Sequence, residues 1–564
     1  MPGEGTRLAH LVVPHLAALL VVLCAGCGGD PVMGPSAAPH QAWNPPESLR
    51  TQVTTSLAQY GQPPPSGSLP ASPSPGEQAP PVPAAGVVPS SSRPLGPGER
   101  APSPDNSQMP DTQARFGSGE IDASATLDPA HPYALWELID LAQRRNPATR
   151  VAWEEARQAA LAAGAARATL LPRLAASVVG GYQRLSTPVA LPLVGTRTLT
   201  TDVQGVMPIL TVEWLLFDFG EREAMIEASR HLTTIANVKF NQLHQQLVFD
   251  VTRAFNALAA AERKATASGR ALAAARLILA AAETREQRGV GTRIEIAQAR
   301  QQLAQAELSL VQAQGEAAIA QVALNAALGR PPGARLGIQD DRESLPRMAS
   351  ENLDQVIAAT LAGRPDIITS VARLKAAEAE AGAVSAGFMP KVGLIAGLTT
   401  LDNQFSINNG GALGTPLDQT GILLGMTLPL YDGGLRDSRA GGARSRVLAA
   451  QAAVALAHDA AALEIATAYE ALRTSLAACQ AAEALVAAAK VTADAGRKGL
   501  EAGLGTLTDA IAAEKGLLDA EMVLAEARQT AFDAAAGLAF VTAALPAEGG
   551  TDAADCGKSN CSQS

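Results

Sequence analysis

The sequence predicts a mainly α-helical protein with a transmembrane β portion, built from two copies of one helix-strand-strand-helix unit. Three observations carry this expectation. Residues 221–288 and 435–498 read as helix almost without a break, paired segments alternate apolar and small or polar residues, and landmark motifs recur at equal intervals in both halves.

Composition sets the frame. Of 564 residues, 47% are apolar but only 3% aromatic, and alanine dominates the apolar share. That mixture favours long, closely packed helices over a bulky core, because alanine has the best helix propensity and lets axes approach. A net charge of -10 argues against a nucleic-acid partner, which needs a basic surface. The seven His are scattered, and Cys24, Cys27, Cys479, Cys556 and Cys561 lack the spacing of a zinc framework. Cys556 and Cys561 either pair in an oxidising compartment or remain two thiols. There is no Walker loop, dinucleotide fingerprint, G-x-S-x-G elbow or H-E-x-x-H. No enzyme activity, cofactor or metal is therefore expected.

Residues 1–26 have the shape of an export signal: Arg7, then the apolar run Leu8 to Leu23, then small residues before Cys27. The run is too short for a comfortable span. Residues 27–132 follow, and 20 of the chain's 37 Pro lie between Pro31 and Pro110. Such a segment buries too little to offset its ordering entropy, so it is expected to be a Pro-rich, disordered tether. Two repeats, 133–330 and 352–545, flank a linker at 331–351, and a tail at 546–564 closes the chain.

The duplication rests on spacing. Pro147 and Pro172 are 25 positions apart, as are Pro365 and Pro390; Asp218 and Gly291 are 73 apart, as are Asp432 and Gly505. After Pro172 and Pro390 come the alternating segments. Leu174, Ala176 and Val178, then Val206, Leu210, Val212, Trp214 and Leu216, lie on one face in the first half. Val392, Leu394, Ala396 and Leu398, then Ile422, Leu424, Met426, Leu428 and Leu430, do so in the second. One apolar face on strands of roughly 9–11 residues suits a membrane barrel. Four strands cannot close one, and no open edge is tolerated in lipid, so several chains must contribute. The helices that follow are roughly 100 Å long at ~1.5 Å per residue and carry seams such as Leu243, Leu247, Val251 and Leu258. Shorter helices return from Arg293 and Leu507.

Between each long helix and its return lies a tight turn, Gly289-Val290-Gly291-Thr292 and Gly503-Leu504-Gly505-Thr506, where glycine is expected for φ > 0. These turns are farthest from the strands. Arg293, Glu295, Asp509 and Glu514 lie just beyond them, as candidate gate residues or as ordinary solvated helix faces.

In this order, Asn146-Pro147 and Arg364-Pro365-Asp366, Leu171-Pro172-Arg173-Leu174 and Met389-Pro390-Lys391-Val392, the aromatic-Asp turns at Asp218 and Asp432, and the two Gly-x-Gly-Thr tips resemble the TolC-type outer membrane factor family over about residues 133–544. The resemblance implies a homotrimeric 12-stranded β-barrel in the outer membrane, continued by a long periplasmic α-helical barrel. It implies a passive efflux or type I secretion channel, with a periplasmic adaptor and an inner-membrane transporter as partners at the two tips. Cys24-Ala25-Gly26-Cys27 resembles a lipobox, implying a lipoprotein whose Cys27 carries the acyl chains and contacts outer membrane lipid. The competing readings are an extended coiled-coil scaffold and a periplasmic adaptor; neither requires two lipid-facing strand pairs.

Overall fold

The computed structural model describes residues 36, 38–60, 131–191, 195–340, 342, 344–346, 348, 352–407 and 413–543. Its elements in chain order are α1 (Glu47–Tyr60), β1 (Pro132–Tyr133), α2 (Leu135–Arg145), α3 (Pro147–Ala168), β2 (Arg173–Leu191), β3 (Gly195–Phe217), α4 (Glu221–Gln287) and α5 (Arg293–Ala327). Then come β4 (Gly337–Ile338), α6 (Leu353–Thr360), α7 (Pro365–Ala386), β5 (Lys391–Ile407), β6 (Leu413–Thr427), α8 (Leu435–Glu501) and α9 (Leu507–Val541). The repeat is close to literal. α3 and α7 have 22 residues each, α4 and α8 have 67, and α5 and α9 have 35.

Proline starts α3 and α7 because the first helical position needs no N–H and a fixed φ suits it. The residue before each proline then ties down the end of a return helix. The Asn146 amide donates to the Ala327 carbonyl at 3.0 Å, and the Arg364 guanidinium donates to the Val541 carbonyl at 2.8 Å. These are the last residues of α5 and α9. Arg364 also binds both oxygens of Asp366, at 3.0 and 2.8 Å, and Glu464 of α8 at 2.5 Å. Burial opposes the charge on Arg364, but these carboxylates outweigh it and raise its pKa.

The four long strands form one antiparallel sheet in the order β2-β3-β5-β6. Register places the apolar residues opposite one another: Leu174 faces Val212, which faces Ala396, which faces Ile422; Ala176, Leu210 and Leu398 form the next row, and Trp214, Leu394 and Leu424 another. The other face carries rows such as Ala175, Thr211, Gly397 and Gly421, although Ile395 and Leu423 also lie on it. The strands have 19, 23, 17 and 15 residues, longer than expected, so they continue beyond a bilayer. The apolar band is bounded by aromatic residues. Trp214 donates to the Leu170 carbonyl at 2.9 Å below it, while Tyr182 and Arg184 both bind Asp202 above it, at 2.7 and 2.6 Å. From Trp214 to Gln204, opposite Tyr182, is ten residues. That is about 33 Å of strand, or about 25 Å of height at the usual barrel tilt.

Asp-based turns join sheet to helix. Phe219 and Gly220 have φ of 55° and 87°; Gly433 and Gly434 have 68° and 88°. Asp218 is buried and holds the Arg222 side chain at 2.7 Å, while Asp432 accepts from the Gly434 and Arg436 amides at 3.1 and 2.9 Å.

Below the sheet α4 lies inside the protomer, packed on α3, α5, α7 and α9, whereas α8 packs chiefly on α7 and α9. The buried residues of α8 include Val454, Ala461, Ile465, Leu472, Ser475, Cys479, Ala482, Ala493 and Leu500. Their separations of three, four, seven and eleven mark a single coiled-coil seam. The opposite side exposes Leu448, Leu456, Leu463 and Val491, each at least 64% accessible. α8 contains a stretch apolar enough by composition to cross a membrane, and only 17% of that stretch is buried. The other flank of the protomer shows Leu308, Val311 and Ile319 of α5.

One expectation fails. Part of 27–132 is not a tether: Ser36 and residues 38–60 belong to a strap seated on the helices. Trp43, Leu49 and Val53 enter the core that contains Trp153, Phe240, Ile367, Leu374 and Ile465, and so join both repeats. Leu49, Val53 and Leu57 recur every four residues, enough to give α1 an apolar stripe despite the prolines on either side. β1 pairs in parallel with β4 within the linker. Cys27, Cys556 and Cys561 lie outside the described residues.

Candidate functional site

The two ends of the helical hairpins form the candidate site. α4 runs through Arg288 into Gly289, whose φ is 73°. The Gly289 amide donates to the Glu286 carbonyl at 2.9 Å, and the Val290 amide to the Arg285 carbonyl at 3.0 Å. This is a Schellman ending, which satisfies the last carbonyls and requires a left-handed residue. The second tip repeats it: Gly503 has φ 71° and donates to Leu500 at 3.2 Å, and Leu504 donates to Gly499 at 2.9 Å.

The second glycine of each motif has a different reason. Neither Gly291 nor Gly505 has a positive φ, contrary to the single reason expected for all four. A Cβ on Gly291 would lie 2.8 Å from the Glu286 nitrogen, and one on Gly505 would lie 3.2 Å from the Gly499 carbonyl carbon. Glycine is there because the returning chain touches the helix it has just left.

Thr292 and Thr506 then cap α5 and α9. The Thr292 hydroxyl accepts from the Glu295 amide at 3.2 Å, and the Glu295 carboxylate accepts in return from the Thr292 amide at 3.4 Å. Asp509 does the same for Thr506 and also accepts from its hydroxyl at 2.6 Å. Both are capping boxes.

The four charged candidates thus have separate surroundings. Glu295 and Asp509 cap helices, and Glu295 also lies 4.0 Å from Arg285. Arg293 is exposed on the first turn of α5. Glu514 is buried between α8 and α9, 2.9 Å from the Arg497 guanidinium, and burial pushes its carboxyl above the usual range. Val290 and Leu504 present the bare apolar surface, at 66% and 89% exposure. The sequence motif contains both, yet only the geometry separates them from the glycines that merely build the turn.

The two tips also touch one another. Ile278, Ala282 and Ala299 of the first pack on Leu500, Leu507 and Ala510 of the second, and farther up Arg270 of α4 pairs with Glu521 of α9 at 2.9 Å.

The outer membrane efflux protein family model matches residues 138–330 and 356–544, both repeats and most of the chain. The chain belongs to the outer membrane efflux protein family. Protein CyaE of Bordetella pertussis is 28% identical over 314 residues, 56% of this chain and 64% of CyaE, so the match spans less than two thirds of that protein. Among solved structures, VceC, an outer membrane protein of Vibrio cholerae, superposes with a TM-score of 0.60 at 22% identity over 72% of this chain and 95% of VceC. The MtrE outer membrane channel of Neisseria gonorrhoeae, in its open state, gives 0.58 at 23% identity over 74% and 91%. The CmeC outer membrane channel of Campylobacter jejuni gives 0.58 at 18% identity over 79% and 94%. The fold is that of TolC-type outer membrane channels, and family and fold together support an outer-membrane location.

Proposed function

We propose that this efflux-family protein is one third of a passive duct: a homotrimer in which three four-stranded sheets close a 12-stranded barrel and three sets of helices continue it as a tube. One observation carries the reading. The sheet ends on two free edges, β2 and β6, and α8 and α5 expose rows of large apolar side chains, so the protomer presents unpartnered surface in both its strand and its helical parts. A heterologous contact of this kind, repeated, closes a ring, and lipid forbids a barrel with free edges. The duct lowers the barrier to export by replacing hydrocarbon with water. Native mass measurement in mild detergent is the test, with three copies expected; a stable monomer with an intact sheet would sink the reading.

The tips are the proposed dock for a periplasmic adaptor joined to an inner-membrane transporter. Six near-equivalent turns would ring the narrow end, each offering Val290 or Leu504. Val290→Asp with Leu504→Asp leaves the glycines and caps intact and is expected to abolish adaptor cross-linking while trimers still form. Normal cross-linking would move the dock elsewhere. Exposed Arg293 and Asp509 are the gate candidates best placed to act outside their own hairpin. Cys27 is the proposed acylated terminus, nine residues before the first seated strap residue, Ser36. Palmitate labelling that survives Cys27→Ser would reject it.

A further inference from the structure

Among the described residues, three side chains of the body hydrogen-bond the main chain of the strap. The Trp153 indole donates to the Ser36 carbonyl at 3.0 Å. The Asn241 amide accepts from the Trp43 N–H at 2.7 Å and donates to the Trp43 carbonyl at 2.6 Å. Between them, His244 Nε2 lies 2.9 Å from the Pro39 carbonyl. Asn241 and His244 stand on one face of α4, a turn apart.

His244 differs from the other two. It is fully buried, with its ring 4.7 Å edge-on from Phe240. A carbonyl only accepts, so Nε2 must carry the proton and Nδ1 must be the bare nitrogen. Nδ1 is buried and has no hydrogen-bond partner. A second proton would therefore place an N–H with no acceptor, and a full charge, in an apolar seat. Phe240 and Asn241 are neutral, and the one ionisable side chain whose charge reaches the ring is His40 of the strap, which also disfavours protonation. Among the described residues no carboxylate acts on the ring; the hydrogen bond to the Pro39 carbonyl favours the protonated form, but burial outweighs it.

We propose that His244 is a pH-sensitive latch for the arm Ala38–Trp43: neutral, it holds the arm down, and its protonation releases the arm while α1 stays docked. The two parts of the strap are held differently: Leu49 and Val53 seat α1 in the apolar core, whereas the arm adds to Trp43, which enters the same core, main-chain hydrogen bonds that include the titratable one at Pro39. The direction of the linkage follows. Burial holds the His244 pKa below its ordinary value. The released arm, with the ring in water, binds the proton more tightly than the latched one. The latch is thus at full strength above about pH 6.5 and weakens as pH falls below it.

Hydrogen exchange of the full-length protein in detergent, corrected for the intrinsic effect of pH, reads this directly. Between pH 7.5 and 5, protection of the arm is expected to fall roughly tenfold for each pH unit in which only the released form is protonated, while residues 49–57 change less than about twofold. His244→Gln keeps an N–H where Nε2 lies and cannot titrate, so its arm should stay protected throughout. His40→Gln should behave like the wild type. Arm protection that ignores pH in the wild type overturns the proposal, as does loosening of the arm and α1 together. Should His244→Gln fail to fold, the wild type and His40→Gln still decide: both must lose arm protection with a midpoint below about pH 6.5.

Discussion

Helices α4 and α8 have the same length, the same left-handed turn before them and the same glycine ending, yet α4 buries 26 of its 67 residues and α8 only 10. The difference is position. α4 has neighbours all round and carries Phe240, Phe255, Leu258 and Ile278 to meet them; α8 has one narrow seam and shows leucine to the outside. A duplicated sequence has diverged according to what each copy must touch, and the copy with a single seam in its own chain has kept apolar residues on its outer face.

The comparison breaks first at the flank. Leu456→Asp with Leu463→Asp should barely change the folding of a protomer, since both leucines are 70% exposed, but should abolish the trimer. Each seam would lose about 3–5 kcal/mol of burial, before the cost of covering two carboxylates. Phe255→Ala in α4 should do the reverse, costing about 3–5 kcal/mol in the protomer itself. Native mass and thermal unfolding separate the two; trimers that survive the double aspartate would show that α8 is not a seam.

The clamps before the prolines give the next effect. Arg364→Ala should destabilise by about 2–3 kcal/mol, because it removes a buried charge shared by α7, α8 and α9, whereas Asn146→Ala should cost about 1 kcal/mol. Denaturant midpoints of the two variants test the order, and equal losses would mean that the charge contributes nothing.

At the tips, Gly291→Ala should loosen the first turn by about 1–3 kcal/mol, since its Cβ would meet backbone at 2.8 Å, and Gly505→Ala less, at 3.2 Å. Local hydrogen exchange reads both. The smallest effect should have the opposite sign. Phe219 adopts a left-handed conformation where the second half has Gly433, so Phe219→Gly should stabilise by about 1 kcal/mol, offset in part by the lost contact with Phe217 at 4.7 Å.

Much of this architecture was legible in the sequence because it is written in residues with backbone reasons. Pro147 and Pro365 mark helix starts, Gly289 and Gly503 mark a left-handed ending, and their intervals survive in any helix of fixed length. The alternation of Leu174, Ala176 and Val178 survives likewise, since register cannot slip without exchanging the two faces. The strap was illegible because its apolar residues are few and surrounded by proline; only the groove beneath shows that Trp43 has a place to go. Glu295 and Asp509 are gate candidates by position, but their capping role shows only in the fold, because a capping box and an acidic ring use the same residues near the same helix start. Arg364 was visible as a motif, but its reach to Val541 spans 177 positions and belongs to the folded chain alone.

The bare strands β2 and β6 have a consequence for inheritance as well as for structure. Each carries a row of main-chain groups that hydrocarbon cannot satisfy, at several kcal/mol apiece, so a lone protomer has no stable place in a bilayer and partners must meet before or during insertion. Channel appearance should then rise more steeply than protein synthesis. In the proposed trimer a gene copy altered at one edge would also poison its neighbours: expressed equally with the normal copy, it would leave only about one ring in eight free of the defect.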